Sequence, residues 1–377
     1  MKILIHATGA TMGGAMRHLT NFLPELGRLD TNNKYVVLVR ESFPSIAVSE
    51  NIQIERTPDV LASNWLKRVI ADVVDLPKRI KKEKFDMVVS LTNFGPIWSS
   101  VPHIFFQRNP IYYCSYYLSK IKGREKLEII LRRRLAIESM KRADVIVTPS
   151  NAMTEMIQSA CPQLKGCSFQ TLYHGFEKRV AQEPLDNKYA KLFSVRGYKL
   201  LYPTHPAPHK GFQVLFEMLA HLKKERLQFT LFTTIAHDDW PDEVKKYEQQ
   251  IHKLGLNDCV VFTGRVPQRQ MGAIYESCDL MVYPSLCESF GFSMVEAMGY
   301  GLPIVAAGTA VNEEICGEGA LYYPPTDFET GAEIIQKALD PEISLRITEA
   351  GKRRLSSYDW SWSRYTREFL KIVNEIC

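Results

Sequence analysis

Residues 280–308 read LMVYPSLCESFGFSMVEAMGYGLPIVAAG. An apolar run, LMVYPS (280–285), gives way to a loop that ends at Gly291, a helix-length pattern occupies 292–300, and LPIVAAG (302–308) is apolar again. Runs of this length bounded by turn residues read as strands, and strands apolar on both faces that alternate with helices indicate a parallel sheet covered on each side.

The alternation extends in both directions. Upstream are the apolar runs YKLLYPT (198–204), QFTLFTT (228–234) and CVVFTG (259–264), and downstream ALYYP (320–324), with helical patterns at 211–226, 241–254 and 267–277. A further helix is read near 328–339, where Thr326-Asp327-Phe328-Glu329 has capping-box spacing and Pro341 follows. An earlier set comprises KILIHAT (2–8), KYVVLVR (34–40), IQIERTP (52–58), DMVVSLT (86–92), HIFFQ (103–107) and DVIVTPS (144–150), with helices at 15–29, 65–82 and 124–142. Between the sets, residues 175–197 are mostly polar and carry Pro184, which reads as a domain boundary. The expected fold is α/β, with two Rossmann-like doubly wound domains over 1–180 and 181–359; ligands of such sheets bind beyond the carboxyl ends of the strands.

At 377 residues, two domains are a better expectation than one, and 45% apolar with 24% charged residues is ordinary for a folded globular chain. MKILIHATGATMGG lacks the apolar core and cleavage site of a secretory signal, and no stretch reaches the ~18–20 apolar residues of a spanning helix. Eight scattered cysteines without a Cys-x-x-Cys pair point to a reduced cytoplasmic protein, with Cys161 and Cys167 the nearest approach to a redox couple. A net charge of +5 suits attraction to phosphates or an anionic membrane surface and is too small to argue for nucleic acid.

Three loops can carry chemistry. Gly9–Gly14, after the first strand, lets backbone approach a ligand before a helix start, although a tight turn needs glycine too. PTHPAPHKG (203–211) presents His205, His209 and Lys210 at a strand end; lysine suits a diphosphate, and the alternative is a solvated loop. In ESFGFSMVEAM (288–298), Gly291 permits the turn and the following helix directs partial positive charge at what precedes it. Glu288 and Glu296 flank this anion site, and carboxylates accept well from sugar hydroxyls. Otherwise Glu296 is a solvated helix residue and Glu288 a partner of the helix dipole.

The two glutamates separated by seven residues resemble the signature of glycosyltransferase family 4, a GT-B group of retaining enzymes. The glycine pair Gly13-Gly14, ADVIVTPS, the loop ending in Lys210, FTGRV, Glu314 in NEEICG and the aromatic YDWSWSRYTREF occur in family order, covering nearly all of the chain. The resemblance implies that Lys210 binds a donor diphosphate, Glu288 the transferred sugar and Glu296 the ribose. It also implies that the backbone of Gly291, Phe292, Ser293 and Met294 cradles phosphate, that Arg265 and Val266 lie along the base, and that Gly13 and Gly14 approach from the first domain. Residues 360–377 would pack back on that domain.

Two departures stand out. His205 occupies the place of an arginine five positions before the lysine, and Gln107-Arg108-Asn109 replaces an acceptor-side histidine; Gln107 can orient a hydroxyl but cannot act as a base. The resulting expectation is a metal-independent, retaining hexosyltransferase using a nucleotide-sugar, with UDP rather than GDP and glucose or a related hexose taken from the family. The acceptor would be a saccharide or lipid-linked saccharide in polysaccharide or glycoconjugate synthesis. A nucleotide-sugar epimerase and a non-catalytic nucleotide-sugar sensor are the rivals. Residues 111–142 mix aromatics with basic residues, so they read either as a peripheral contact with the inner face of an anionic membrane or as a solvated helix with its aromatics in the core.

Overall fold

The structure, a computed structural model, describes residues 1–10, 13–58, 65–176, 183–238 and 240–376. The chain divides into two compact units, Met1–Glu177 with Trp360–Cys377, and Lys178–Asp359. The boundary read at 180/181 lies outside the described residues.

In unit 1, β1 (Lys2–His6), β2 (Lys34–Arg40), β3 (Ile52–Thr57), β4 (Met87–Ser90), β5 (His103–Phe106), β6 (Val145–Thr148) and β7 (Phe169–Thr171) form one parallel sheet, ordered β3-β2-β1-β4-β5-β6-β7. In unit 2, β8 (Tyr198–Tyr202), β9 (Phe229–Thr233), β10 (Val260–Phe262), β11 (Leu280–Tyr283), β12 (Ile304–Ala307) and β13 (Leu321–Tyr323) form a second, ordered β10-β9-β8-β11-β12-β13 and again parallel. Both are doubly wound, Rossmann-like sheets. The central strands Ile3–Ile5 and Leu280–Val282 are fully buried, as parallel strands with helices on both faces must be. Strand order reverses between β1 and β4 and between β8 and β11, and the crevices beyond the carboxyl ends at those points are where such sheets take ligands.

Unit 1 carries α1 (Gly13–Leu29), α2 (Trp65–Ile70), α3 (Leu76–Lys82), α4 (Ser115–Lys120), α5 (Gly123–Met140) and α6 (Asn151–Ala160). Unit 2 carries α7 (Asn187–Leu192), α8 (Phe212–Lys224), α9 (Pro241–Lys253), α10 (Met271–Glu276), α11 (Phe292–Tyr300), α12 (Ala310–Cys316), α13 (Phe328–Ala338) and α14 (Pro341–Ser356), and α15 (Trp362–Glu375) closes the chain. The last helix packs on α1: Phe22 meets Phe369 at 5.1 Å between ring centroids, His18 Nε2 and the Tyr365 hydroxyl are 2.7 Å apart, and Ser363 donates to Glu25 at 2.6 Å. Gly175 lets the chain pass this helix, since a Cβ there would lie 2.4 Å from the Trp362 indole.

Several local features differ from the sequence reading. Residues 65–82 are not one regular helix: a π-turn (Ala71–Asp75) separates α2 from α3 and brings buried Asp72 to 3.0 Å from His6. The cap of α13 is Asp327 rather than Thr326, because the Asp327 carboxylate accepts the Thr330 N–H at 3.0 Å. Strand β7 and helices α4, α6, α7, α12 and α14 are additional to those read from the sequence, α7 lying in the segment read as a domain boundary. Pro341 opens α14 at its first turn, with Asp340 accepting from the N–H groups of Glu342 and Ile343.

Candidate functional site

At the switch point of unit 2, the loops after β8 and β11 are clamped together. Pro208–Lys210 forms a 3₁₀ turn, and the Tyr202 hydroxyl donates to the Lys210 carbonyl at 2.9 Å. Gly211 follows with φ +69°, where an added Cβ would lie 2.1 Å from the Pro284 carbonyl oxygen, so only glycine fits. The Leu286 N–H donates to the His209 carbonyl at 2.9 Å and completes the clamp.

This backbone places Lys210 Nζ 2.6 Å from Glu288 Oε1, an ion pair whose side chains are 10% and 12% exposed. The Ser285 hydroxyl donates to the same oxygen at 2.5 Å, and Asn312 Nδ2 donates to the carbonyls of Ser285 (3.3 Å) and Ala307 (2.9 Å) behind it. Burial alone would raise the Glu288 carboxyl, but the Lys210 charge and the hydrogen bonds from Lys210 and Ser285 outweigh it and hold the group at about 2. Burial and the Glu288 charge push the Tyr202 and Tyr283 hydroxyls far up. Half-buried His209 is pushed down to about 3 by burial and Lys210, with Glu288 opposing in part.

Three residues beyond Glu288, Gly291 adopts φ +84° and turns the chain into α11. The Met294 N–H is already engaged by the Gly291 carbonyl at 3.0 Å, and the Met294 side chain is buried. Phe292 and Ser293, at the helix start, are half-buried. Glu296 is buried rather than solvated: Tyr275 donates to Oε2 at 2.8 Å and Gln268 to Oε1 at 3.2 Å. Arg265 is exposed beyond the end of β10, and its carbonyl accepts from the Tyr189 hydroxyl at 3.0 Å; Val266 beside it is half-buried. His205 is exposed on the loop that carries Lys210, its ring 6.2 Å from that of Trp240.

The remaining candidates belong to unit 1. Gly13, φ +57°, and Gly14 are exposed at the start of α1; Thr11 and Met12 of the same loop lie outside the described residues. Gln107 follows β5 with a fully buried side chain, Nε2 donating to the Tyr113 hydroxyl at 3.0 Å. Its Oε1 has no hydrogen-bond partner among the described residues. Sequence reasoning singles out Lys210 and Glu288 as candidates but not their direct pairing, nor Ser285, Tyr283, Tyr202 and Asn312 around them. Those four are ordinary strand-end and helix residues, and only the clamp brings them together.

A family profile described as Glycosyl transferases group 1 matches residues 187–354, and one described as Glycosyltransferase Family 4 matches residues 12–177. The chain belongs with the family 4 glycosyltransferases. Among similar proteins, this family 4 member is 26% identical over 167 residues to O-antigen chain mannosyltransferase B of Escherichia coli, covering 44% of this chain and 43% of that one. It is 28% identical over 184 residues to the MMP alpha-(1->4)-mannosyltransferase of Mycolicibacterium hassiacum, covering 48% and 44%. The matches thus span less than half the length of these relatives. Sucrose-phosphate synthase from Thermosynechococcus elongatus shares the GT-B fold at TM-score 0.76 and 17% identity, covering 99% of this chain and 98% of that one. Anabaena HepE, solved with UDP-glucose, shares it at TM-score 0.72 and 19% identity over the whole of both chains. No described helix is long and apolar enough to cross a membrane.

Proposed function

We propose that this family 4 member is a retaining, metal-independent hexosyltransferase that moves a sugar, glucose or a related hexose, from a UDP-sugar to a saccharide or lipid-linked saccharide. The observation that carries the reading is the Lys210–Glu288 pair, at the switch point of a doubly wound sheet and just ahead of a nine-residue helix. A buried ammonium and a helix start are suited to a diphosphate, and a carboxylate held ionised is suited to sugar hydroxyls. The relatives named as mannosyltransferases and the neighbour solved with UDP-glucose support a hexose donor.

In this reading Lys210 and the N–H groups at the start of α11 stabilise the departing diphosphate, while Glu288 orients the sugar. Glu296 meets the ribose, Arg265 and Val266 the base, and His205 the outer phosphate. The bond from the sugar's anomeric carbon to phosphate breaks, the acceptor oxygen bonds to that carbon from the same face, and the acceptor's proton passes to the leaving phosphate. Unit 1 binds the acceptor, with Gln107 on that side, while its Gly13 and Gly14 approach the donor's phosphate and sugar. Helix α5 exposes Leu127 and Ile130 beside Arg124, Lys126 and Arg134, a surface suited to the anionic inner face of a membrane bearing a lipid-linked acceptor.

A thermal-shift screen of UDP, UDP-glucose, GDP and GDP-mannose, followed by measurement of free UDP from UDP-glucose with and without EDTA, tests this. Stabilisation by the uridine pair and turnover that survives EDTA are expected. No stabilisation by any of the four would refute donor binding, and loss of turnover restored by a divalent ion would refute metal independence.

A further inference from the structure

Lys210 can turn only its side chain toward a ligand. Its carbonyl is held by the Tyr202 hydroxyl, and Gly211 is pressed against the Pro284 carbonyl. Its ammonium closes on Glu288 Oε1 at 2.6 Å where little water competes, so a phosphate that takes the ammonium must break a charge-assisted contact. The carboxylate has other support. Ser285 donates to that same oxygen at 2.5 Å from a backbone fixed by Asn312.

We propose that Glu288 is an internal competitor for the donor's phosphate at Lys210, and that the transferred sugar relieves the competition by giving Glu288 hydroxyl groups in place of the ammonium. The inference rests on the donor-site reading above and extends it to the order of events. With an intact nucleotide-sugar, Lys210 passes to the phosphate and Glu288 to the sugar, and both charges remain compensated. Once the sugar has been transferred, the nucleoside diphosphate offers Glu288 nothing, and the carboxylate retakes Lys210. The ion pair thereby favours donor over spent nucleotide and promotes product release.

Calorimetric titration of the native protein, Glu288→Gln and Glu288→Ala with UDP, UDP-glucose and pyrophosphate tests the exchange. The amide of Glu288→Gln keeps the shape of the side chain and removes its charge. Losing one charge-assisted contact to the competitor should tighten UDP and pyrophosphate by about tenfold or more. UDP-glucose, which loses a sugar contact at the same time, should bind no tighter than to the native protein. Glu288→Ala, which cannot engage Lys210 at all, should tighten UDP as well and covers a loop disturbed by glutamine; melting temperatures within a few degrees of native show that both variants are folded. UDP and pyrophosphate affinities that are unchanged or weaker in both folded variants, with native binding intact, would overturn the exchange and leave the donor-site reading standing. Failure of UDP and UDP-glucose to bind the native protein would overturn both.

Discussion

Lowering the pH from 7 to 5 should destabilise unit 1 through three buried histidines, His18, His103 and His174, which are 0%, 1% and 4% exposed. Burial is the main force holding each below its ordinary value. Arg108 and His174 add to it at His18, Arg108, Arg364 and Arg17 at His174, and His6 at His103, which is pushed down to about 3. A group with a depressed folded pKa stays neutral in the native state while the unfolded chain takes up its proton, so stability is present above about 6.5 and falls as pH drops toward the folded value. For His103, held at about 3, each pH unit below 6.5 removes about 1.4 kcal/mol, or about 2 kcal/mol by pH 5, and His18 and His174 act in the same direction. Even the His103 share alone is a substantial part of the ~5–15 kcal/mol that a domain possesses. The window is free of the depressed carboxylates of unit 1, Glu25, Asp30 and Glu138, whose contributions are lost only near and below about 4.5. Urea unfolding followed by near-ultraviolet dichroism between pH 7.5 and 5, with calorimetry in buffers of different ionisation enthalpy, gives both the slope and the proton count. About one proton taken up on unfolding of unit 1 at pH 5 is expected from His103, with further uptake from His18 and His174. Stability that is flat over the range, or uptake of less than one proton, would refute the argument.

Two further outcomes follow from the geometry. Gly211→Ala combines φ +69° with a Cβ 2.1 Å from a backbone carbonyl, whereas Gly264→Ala meets only the strain of φ +77° in open space. The first should lose about 3 kcal/mol and the second about 1 kcal/mol, measured by urea unfolding; equal losses would show that the loop clamp yields freely. Replacing exposed Leu127 and Ile130 by glutamate should abolish flotation with phosphatidylglycerol vesicles, and flotation equal to native would remove α5 from any membrane contact.

The parallel sheets were legible because their strands are apolar on both faces and alternate with helices, so the runs around Ile3–Ile5 and Leu280–Val282 need no tertiary information to be recognised. Ends and connections were less legible. Half-buried β7 has a weak apolar pattern, and Pro341 serves equally as a stop for α13 and a start for α14. Thr326 and Asp327 both have cap chemistry at adjacent positions, and backbone geometry selects Asp327. The π-turn at Ala71–Asp75 leaves no sequence mark, since the pairing of Asp72 with His6 joins residues 66 positions apart.

The site shows the same division between chemistry that can be read locally and partnership that cannot. Lys210 and Glu288 stand out because a lysine or a carboxylate at the carboxyl end of a strand is conspicuous, and each suggests a ligand of opposite character. Their spacing of 78 residues says nothing about distance, and the structure brings them to 2.6 Å. The pairing depends on Gly211, whose missing Cβ lets one loop meet the Pro284 carbonyl of the other, and on Leu286, whose N–H fastens that loop to His209. Neither residue has side-chain chemistry to draw attention to it. What converts two separate ligand contacts into a coupled pair is therefore the backbone around them, and the coupling gives Glu288 an effect on phosphate binding that its chemistry alone would not suggest.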